Sequence, residues 1–285
     1  MRVALHKADT TRFPNLALMK LSAWHKKVGH EVEDYRPGRP YDLVHSSKVF
    51  SWTPPPTLEG PVVKGGTGYN YTVALPDAVE HTCPDYTGVD FSLGFLTRGC
   101  PNKCPWCVVP NKEGDIRPHS DVEEFLRHKQ VVLMDNNVLA HDFGVQQIEK
   151  MSRLGVKVDF NQGLDARLID DAIARRLAAL KWMKPLRMAC DHRGQMAAVE
   201  RAVHLLRKHN CTPRAYFVYV LVKDIEDAYE RVQFLRGLGV DPFAQPYRDY
   251  EGNDPPKIAK HFARWVNHKA VFKTVSWEDY LKNKD

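Results

Sequence analysis

Residues 92–107 read SLGFLTRGCPNKCPWC, an apolar run that ends in Thr97-Arg98-Gly99 and leads into Cys100, Cys104 and Cys107. SLGFL has strand character. Gly99, Pro101 and Pro105 keep the following residues out of a helix, so the three thiols belong to an irregular loop just after a strand. Working outward, further apolar runs begin near residues 131, 156, 186, 215 and 240 (VVLM, VKVDF, LRMAC, AYFVYVLV and VDPFA). Helix-period stretches separate them. Ile169, Ile173, Leu177 and Leu180 share one face, as do Met196, Val199, Val203 and Leu206, and again Ile225, Ala228, Val232 and Leu235. Ser120 and Glu123 have capping-box spacing at the start of the first helix.

Strand–helix units of roughly 25–35 residues build parallel sheets through right-handed crossovers. Six such units fit between 91 and 267. That is fewer than the eight of a closed barrel, so an α/β fold with a partial (β/α)6 barrel is expected. Ligands of such folds bind at the C-terminal ends of the strands, which is where the thiol loop falls.

Upstream, residues 1–50 begin a smaller α/β layer: a strand at Val3–Leu5, then a helix with Leu16, Met19, Ala23 and Trp24 on one face and Gly29 as its cap, then apolar runs at 41–44 and 48–50. Pro54, Pro55 and Pro56, followed by Gly60, Gly65, Gly66 and Gly68, interrupt the pattern. The segment 51–90 is therefore expected to be a connector. Gly65–Gly68 lacks the Lys-Ser/Thr of a phosphate loop. The tail, 268–285, is expected to form a short strand and a helix.

The 285 residues are 43% hydrophobic with net charge +6, and the mean hydropathy is −0.45. A globular fold with a sizeable core follows. No apolar run approaches the roughly 20 residues of a membrane span, and MRVALHKADTTRF has no signal-peptide h-region. A cytoplasmic protein with no membrane association is expected. Ten basic and ten acidic residues in 1–90 place the charge excess downstream. That excess permits nucleic acid as a partner without indicating it. The cluster Arg175, Arg176, Lys181, Lys184 and Arg187 is read as a solvated face, the alternative being phosphate binding.

Six cysteines stand at 83, 100, 104, 107, 190 and 211. Without an export signal, a disulfide framework is not expected. Cys190 and Cys211 read as small buried hydrophobes. Clustered soft thiolates select zinc, copper or iron–sulfur centres. Structural zinc takes four protein ligands. A fourth ligand is available from Cys83, His81, His119 or His128, none of them in a second half-site. Three thiolates suit a 4Fe–4S cluster with one iron left open.

The C-x3-C-x2-C spacing, with Trp106 before the third cysteine, resembles the signature of the radical S-adenosylmethionine (radical SAM) superfamily. The resemblance implies that Cys100, Cys104 and Cys107 hold a 4Fe–4S cluster whose open iron chelates SAM. One electron, from an external donor such as flavodoxin or ferredoxin, would then cleave SAM to methionine and a 5′-deoxyadenosyl radical. It also implies cofactor contacts. VLMDNN is similar to an F-x-D-D-N pattern of members with an N-terminal cobalamin-binding domain, which gives Asp135, Asn136 and Asn137 SAM-binding roles; a turn or cap is the alternative. Trp106 would flank the cofactor. Arg167 resembles a basic residue directed at the SAM carboxylate, the alternative being an ion pair with Asp170 or Asp171. Asp191 would meet a ribose hydroxyl. Lys223-Asp224 replaces the family's Gly-rich turn after the fifth strand, and Gln245–Tyr250 would face the substrate.

Residues 1–50 look like the opening of a flavodoxin-like cobalamin-binding domain, shortened and without a D-x-H-x-x-G motif, hence a remnant not expected to hold cobalamin. The implied function is a radical SAM enzyme acting on an unidentified substrate. The alternatives are a cobalamin-dependent radical SAM methyltransferase and a non-catalytic zinc or iron–sulfur nucleic-acid-binding protein.

Overall fold

The computed structural model describes residues 1–211, 213 and 215–282. Val3 and Ala4, both fully buried, make β1 (Arg2–Lys7) the inner strand of a parallel sheet ordered β2-β1-β3-β4. Its partners are β2 (Glu31–Asp34), β3 (Leu43–Ser47) and β4 (Val62–Gly65). Helix α1 (Leu16–Lys27) joins β1 to β2 and buries Leu18, Met19 and Leu21. Asn15 caps it, Oδ1 accepting from Leu18 N at 3.1 Å, and ties the helix start to β3 through Nδ2, which donates to Ser47 Oγ at 2.8 Å. The sheet runs beyond residue 50, because β4 and the short α2 (Asp77–Glu80) lie inside the expected connector. Tight backbone packing makes this possible. Gly66 has φ +94, and a Cβ there would lie 2.5 Å from the Lys48 carbonyl oxygen.

At the end of α1, His25 is 4% exposed and sits between two other imidazoles. Its Nδ1 is 2.8 Å from His30 Nδ1 and its Nε2 is 2.9 Å from His45 Nε2. Burial, with His45 and His30 adding to it, lowers its pKa to about 4. The unfolded chain therefore holds the proton more tightly. The contribution to stability is intact above about pH 6.5 and is lost as pH falls toward 4. Between pH 7 and pH 5 the urea midpoint is expected to fall by the equivalent of about 2 kcal/mol, and His25→Phe should flatten that slope. An unchanged slope in the variant would refute the assignment.

All six expected apolar runs form parallel strands: β5 (Ser92–Gly94), β8 (Gln130–Leu133), β9 (Lys157–Phe160), β11 (Leu186–Ala189), β12 (Tyr216–Val222) and β13 (Asp241–Pro246). They alternate with helices α4 (Val122–Phe125), α5 (Asp142–Leu154), α6 (Asp171–Ala178), α7 (Met196–Lys208), α8 (Ile225–Gly237) and α9 (Lys257–Asn267). With a short added strand, β10 (Lys181–Trp182), the hydrogen-bonded array is nevertheless two sheets, β10-β9-β8-β5 and β11-β12-β13, where one curved sheet was expected. Gly163 (φ +90) turns the chain out of β9, and β10 takes up the start of β9's outer edge. A single parallel bridge, Leu164–Met188, joins the halves. Pro242 and Pro246 confine β13 to an edge, since neither donates to a ladder.

The helical stripes read from sequence face this array, with Leu177, Val199, Val203, Leu206, Val232 and Leu235 all buried. The capping box is displaced by one residue to Asp121 and Glu124, because Ser120 N is already engaged by Leu96 O. Cys190 and Cys211 are buried, and burial pushes their thiols up to about 12 and about 11. The tail forms two helices, α10 (Lys269–Thr274) and α11 (Trp277–Lys282), with no strand among its described residues; 283–285 lie outside them. They form because Phe272 and Trp277 pack on Trp265 of α9, with ring centroids 4.9 and 5.5 Å away. Among the described residues no helix is long and apolar enough to cross a membrane.

Candidate active site

The loop 99–116 is closed at its base by the antiparallel pair β6 (Thr97–Arg98) and β7 (Arg117–Pro118), and it carries α3 (Val109–Glu113). Gly99 opens it at φ +81, with the Asp115 carbonyl where a Cβ would stand, so only glycine fits. Gly99 N donates to Glu113 Oε2 (3.0 Å) and Cys100 N to Gly114 O (3.1 Å). Cys107 N donates to Cys104 O (3.0 Å). Cys100, Cys104 and Cys107 are free thiols, each partly buried.

Asp135, 4% exposed, follows β8 and faces the base of this loop. Its carboxylate accepts from Leu96 N, Thr97 N and Thr97 Oγ1, the last two at 2.6 and 2.7 Å. Burial raises its pKa to about 6 against the pull of these donors. Asn136 Nδ2 donates to Glu113 Oε2 (2.9 Å). Asn137 Nδ2 lies 3.1 Å from Asp165 Oδ2 and 3.7 Å from Cys100 Sγ. Asn137 Oδ1 is buried with no hydrogen-bond partner among the described residues.

Arg167 pairs with Asp165, through Nε to Oδ1 at 2.8 Å and Nη2 to Oδ2 at 2.7 Å. The expected alternatives are taken elsewhere: Asp170 caps α6, and Asp171 binds Lys208 and His209. Asp191 accepts from Leu221 N (3.2 Å), and burial raises its carboxyl pKa. Trp106 meets His192 edge-on at 6.3 Å, and Lys223 Nζ lies 5.6 Å above the Trp106 ring and 4.9 Å above Tyr247.

These groups share one electrostatic environment. Burial raises the Cys104 and Cys107 thiols. Cys100, Cys107 and Asp191 raise Cys104 further while the Arg167 guanidinium opposes them. Arg167 thus supplies the positive charge that favours a thiolate.

Among the described residues no group of three His, Cys, Asp or Glu side chains converges closely enough to hold one metal ion. The three cysteines expected to be metal ligands are free thiols on one loop and do not form a ready mononuclear site. The fourth-ligand candidates are engaged elsewhere: His119 with Glu80, His81 with Glu124, His128 with Ser92, and Cys83 with the Pro84 carbonyl.

Two organising carboxylates were missed by the sequence reading. Glu113, its side chain 6% exposed, ties Gly99, Arg98 (3.0 Å) and Asn136 together. Asp165 joins Asn102 (3.1 Å), Asn137 and Arg167. Neither stands in a motif; the one available signal was Asp165 in a polar run just after a strand. In the basic cluster, Arg175 and Arg176 pair with Asp171 and Glu149 on a solvated face, whereas Arg187 departs from that expectation and pairs with the buried Asp159.

No family model matches the chain, and no curated protein matches it. Among solved structures, the cobalamin-dependent S-adenosylmethionine radical enzyme OxsB, with aqua-cobalamin and S-adenosylmethionine bound, is similar in fold. The TM-score is 0.55 at 13% identity, over 95% of this chain and 56% of that one. The chain thus spans about half the length of that enzyme. It is a mixed α/β protein with parallel sheets and shares its fold with a radical SAM enzyme.

Proposed function

We propose that this protein is a radical SAM enzyme in which Cys100, Cys104 and Cys107 hold a 4Fe–4S cluster. The observation that supports the reading is the placing of three free thiols on one loop, with the Arg167 guanidinium and the unpartnered Asn137 Oδ1 beside them, beyond the ends of adjacent parallel strands. The donor set fits the cluster: the ligands are soft and free of disulfides, and each binds a different iron, so they need not converge on one point. When bound, the cluster supplies the electron that cleaves the carbon–sulfur bond of SAM.

The remaining work falls to the chain. Asn137 Oδ1 accepts a hydrogen bond from the methionyl ammonium, which satisfies an otherwise orphaned buried acceptor. Arg167, locked by Asp165 through Nε and Nη2, keeps Nη1 for the carboxylate. Asp191 uses its second oxygen for a ribose hydroxyl, and Trp106 walls the site from water. Asp135 and Asn136 position the loop through Thr97 and Glu113. Flavodoxin or ferredoxin delivers the electron.

In this reading the two sheets of the larger part are halves of one partial (β/α)6 barrel. The order β2-β1-β3-β4 corresponds to a flavodoxin-like sheet without its fifth strand, which supports a shortened cobalamin-domain remnant. Anaerobic reconstitution with iron and sulfide, then dithionite and SAM, is expected to yield 5′-deoxyadenosine by chromatography. A brown, cluster-loaded protein that leaves SAM intact would remove the proposal, and one zinc per chain without sulfide would favour the nucleic-acid-binding alternative.

One observation favours a second reading, cobalamin-dependent methyl transfer. A cavity of about 1280 Å³ lies between the N-terminal sheet and the strand ends, above the roughly 300–1,000 Å³ usual for ligand sites. Hydroxocobalamin titration separates the two; no retention discards methyl transfer.

A further inference from the structure

Two parallel sheets present strand ends to that same cavity. Lys7, Ser47 and Gly65 end β1, β3 and β4, and Met134 and Gln162 follow β8 and β9. In the N-terminal sheet the order reverses between β1 and β3, the kind of switch point at which α/β sheets bind ligands. The lining holds six lysine and arginine side chains against three carboxylates, Asp77, Glu80 and Glu113. Lys20 neutralises Glu80 at 2.8 Å and Arg98 neutralises Glu113 at 3.0 Å.

Lys7, Lys64 and Arg117 have no carboxylate in ion-pair range among the described residues. Lys7 Nζ donates to the Thr11 and Phe13 carbonyls, Lys64 Nζ lies 5.7 Å above the Tyr69 ring, and Arg117 donates to the Glu113 carbonyl. Asp9, which lies in the field of Lys7, spends its carboxylate on Val49 N, Phe50 N and Thr53 Oγ1. Between these cations the wall is apolar, with Phe13, Leu18, Trp24, Phe50 and Phe95.

A mostly apolar chamber with surplus positive charge at the crevice end complements a molecule with an apolar body and an anionic head. We propose that the cavity binds an anionic amphiphile, head at Lys7, body toward Met134 and Gln162. It is the substrate of the proposed enzyme, a role that rests on the radical SAM reading, whereas the binding does not.

The test titrates full-length protein with 1-anilinonaphthalene-8-sulfonate and with uncharged N-phenyl-1-naphthylamine, both read by fluorescence. Lys7→Gln and Lys7→Glu are each expected to weaken the sulfonate probe about tenfold while changing the uncharged probe less than about twofold. Val73→Trp, which narrows the chamber at an exposed wall residue without altering charge, is expected to weaken both probes alike. Dodecanoate and dodecyl phosphate as competitors then report whether a carboxylate or a phosphate head is preferred. Charge variants that leave sulfonate binding unchanged, or that weaken both probes equally, overturn the proposal. So does a Val73→Trp variant that affects neither. Charge-dependent binding in a protein that never cleaves SAM sinks the enzymatic reading and leaves this one standing.

Discussion

Alanine at Cys100, Cys104 or Cys107, one at a time, is expected to abolish 5′-deoxyadenosine formation and most iron retention after reconstitution. The loss should exceed the roughly 10–100-fold that removal of a supporting hydrogen bond costs a metal site, because a coordinating sulfur is itself removed. Cys83→Ala and Cys211→Ala serve as controls. Cys83 is occupied by its neighbour's carbonyl and Cys211 lies buried at 4% exposure, so neither should change the iron count. Iron and sulfide analysis is the primary readout, since it does not depend on knowing the substrate. Equal iron in all five proteins would exclude the thiol loop as the cluster site.

Asp135→Ala is expected to destabilise the protein by about 3–5 kcal/mol. The substitution strands Leu96 N, Thr97 N and the Thr97 hydroxyl in a buried environment, each an unsatisfied donor worth roughly 1–3 kcal/mol. Asp135→Asn keeps one acceptor oxygen and should recover part of that loss. The effect extends beyond stability. Thr97 is the first residue of β6, which closes the base of the thiol loop, so iron retention should fall with the urea midpoint in Asp135→Ala and rise again in Asp135→Asn. A variant with normal iron loading and a lowered midpoint would confine Asp135 to the general fold.

Local chemistry made part of this protein legible in its sequence. The six strands β5, β8, β9, β11, β12 and β13 announce themselves as short apolar runs, and helices α6, α7 and α8 as stripes of period 3.6, because burial selects side chains at those spacings whatever lies opposite. The thiol loop is legible for the same reason, since proline, glycine and cysteine act over a few residues. Strand β4 was not legible: Val62–Gly65 is a four-residue segment among prolines and glycines, and only its pairing with Val44–Ser47 makes it a strand.

Tertiary structure alone decided the rest. The sequence offered Arg167 either the SAM carboxylate or an ion pair with Asp170 or Asp171; the fold paired it with Asp165, and it committed Asp135 to backbone amides 38 and 39 residues away. Nor does any motif encode the unpartnered oxygen of Asn137, the clamp at Glu113 or a chamber shared by two sheets. Propensity and periodicity describe a residue and its near neighbours. A carboxylate's partner and a cavity's charge depend on which distant segments the sheets bring together, and that is a property of the packed chain.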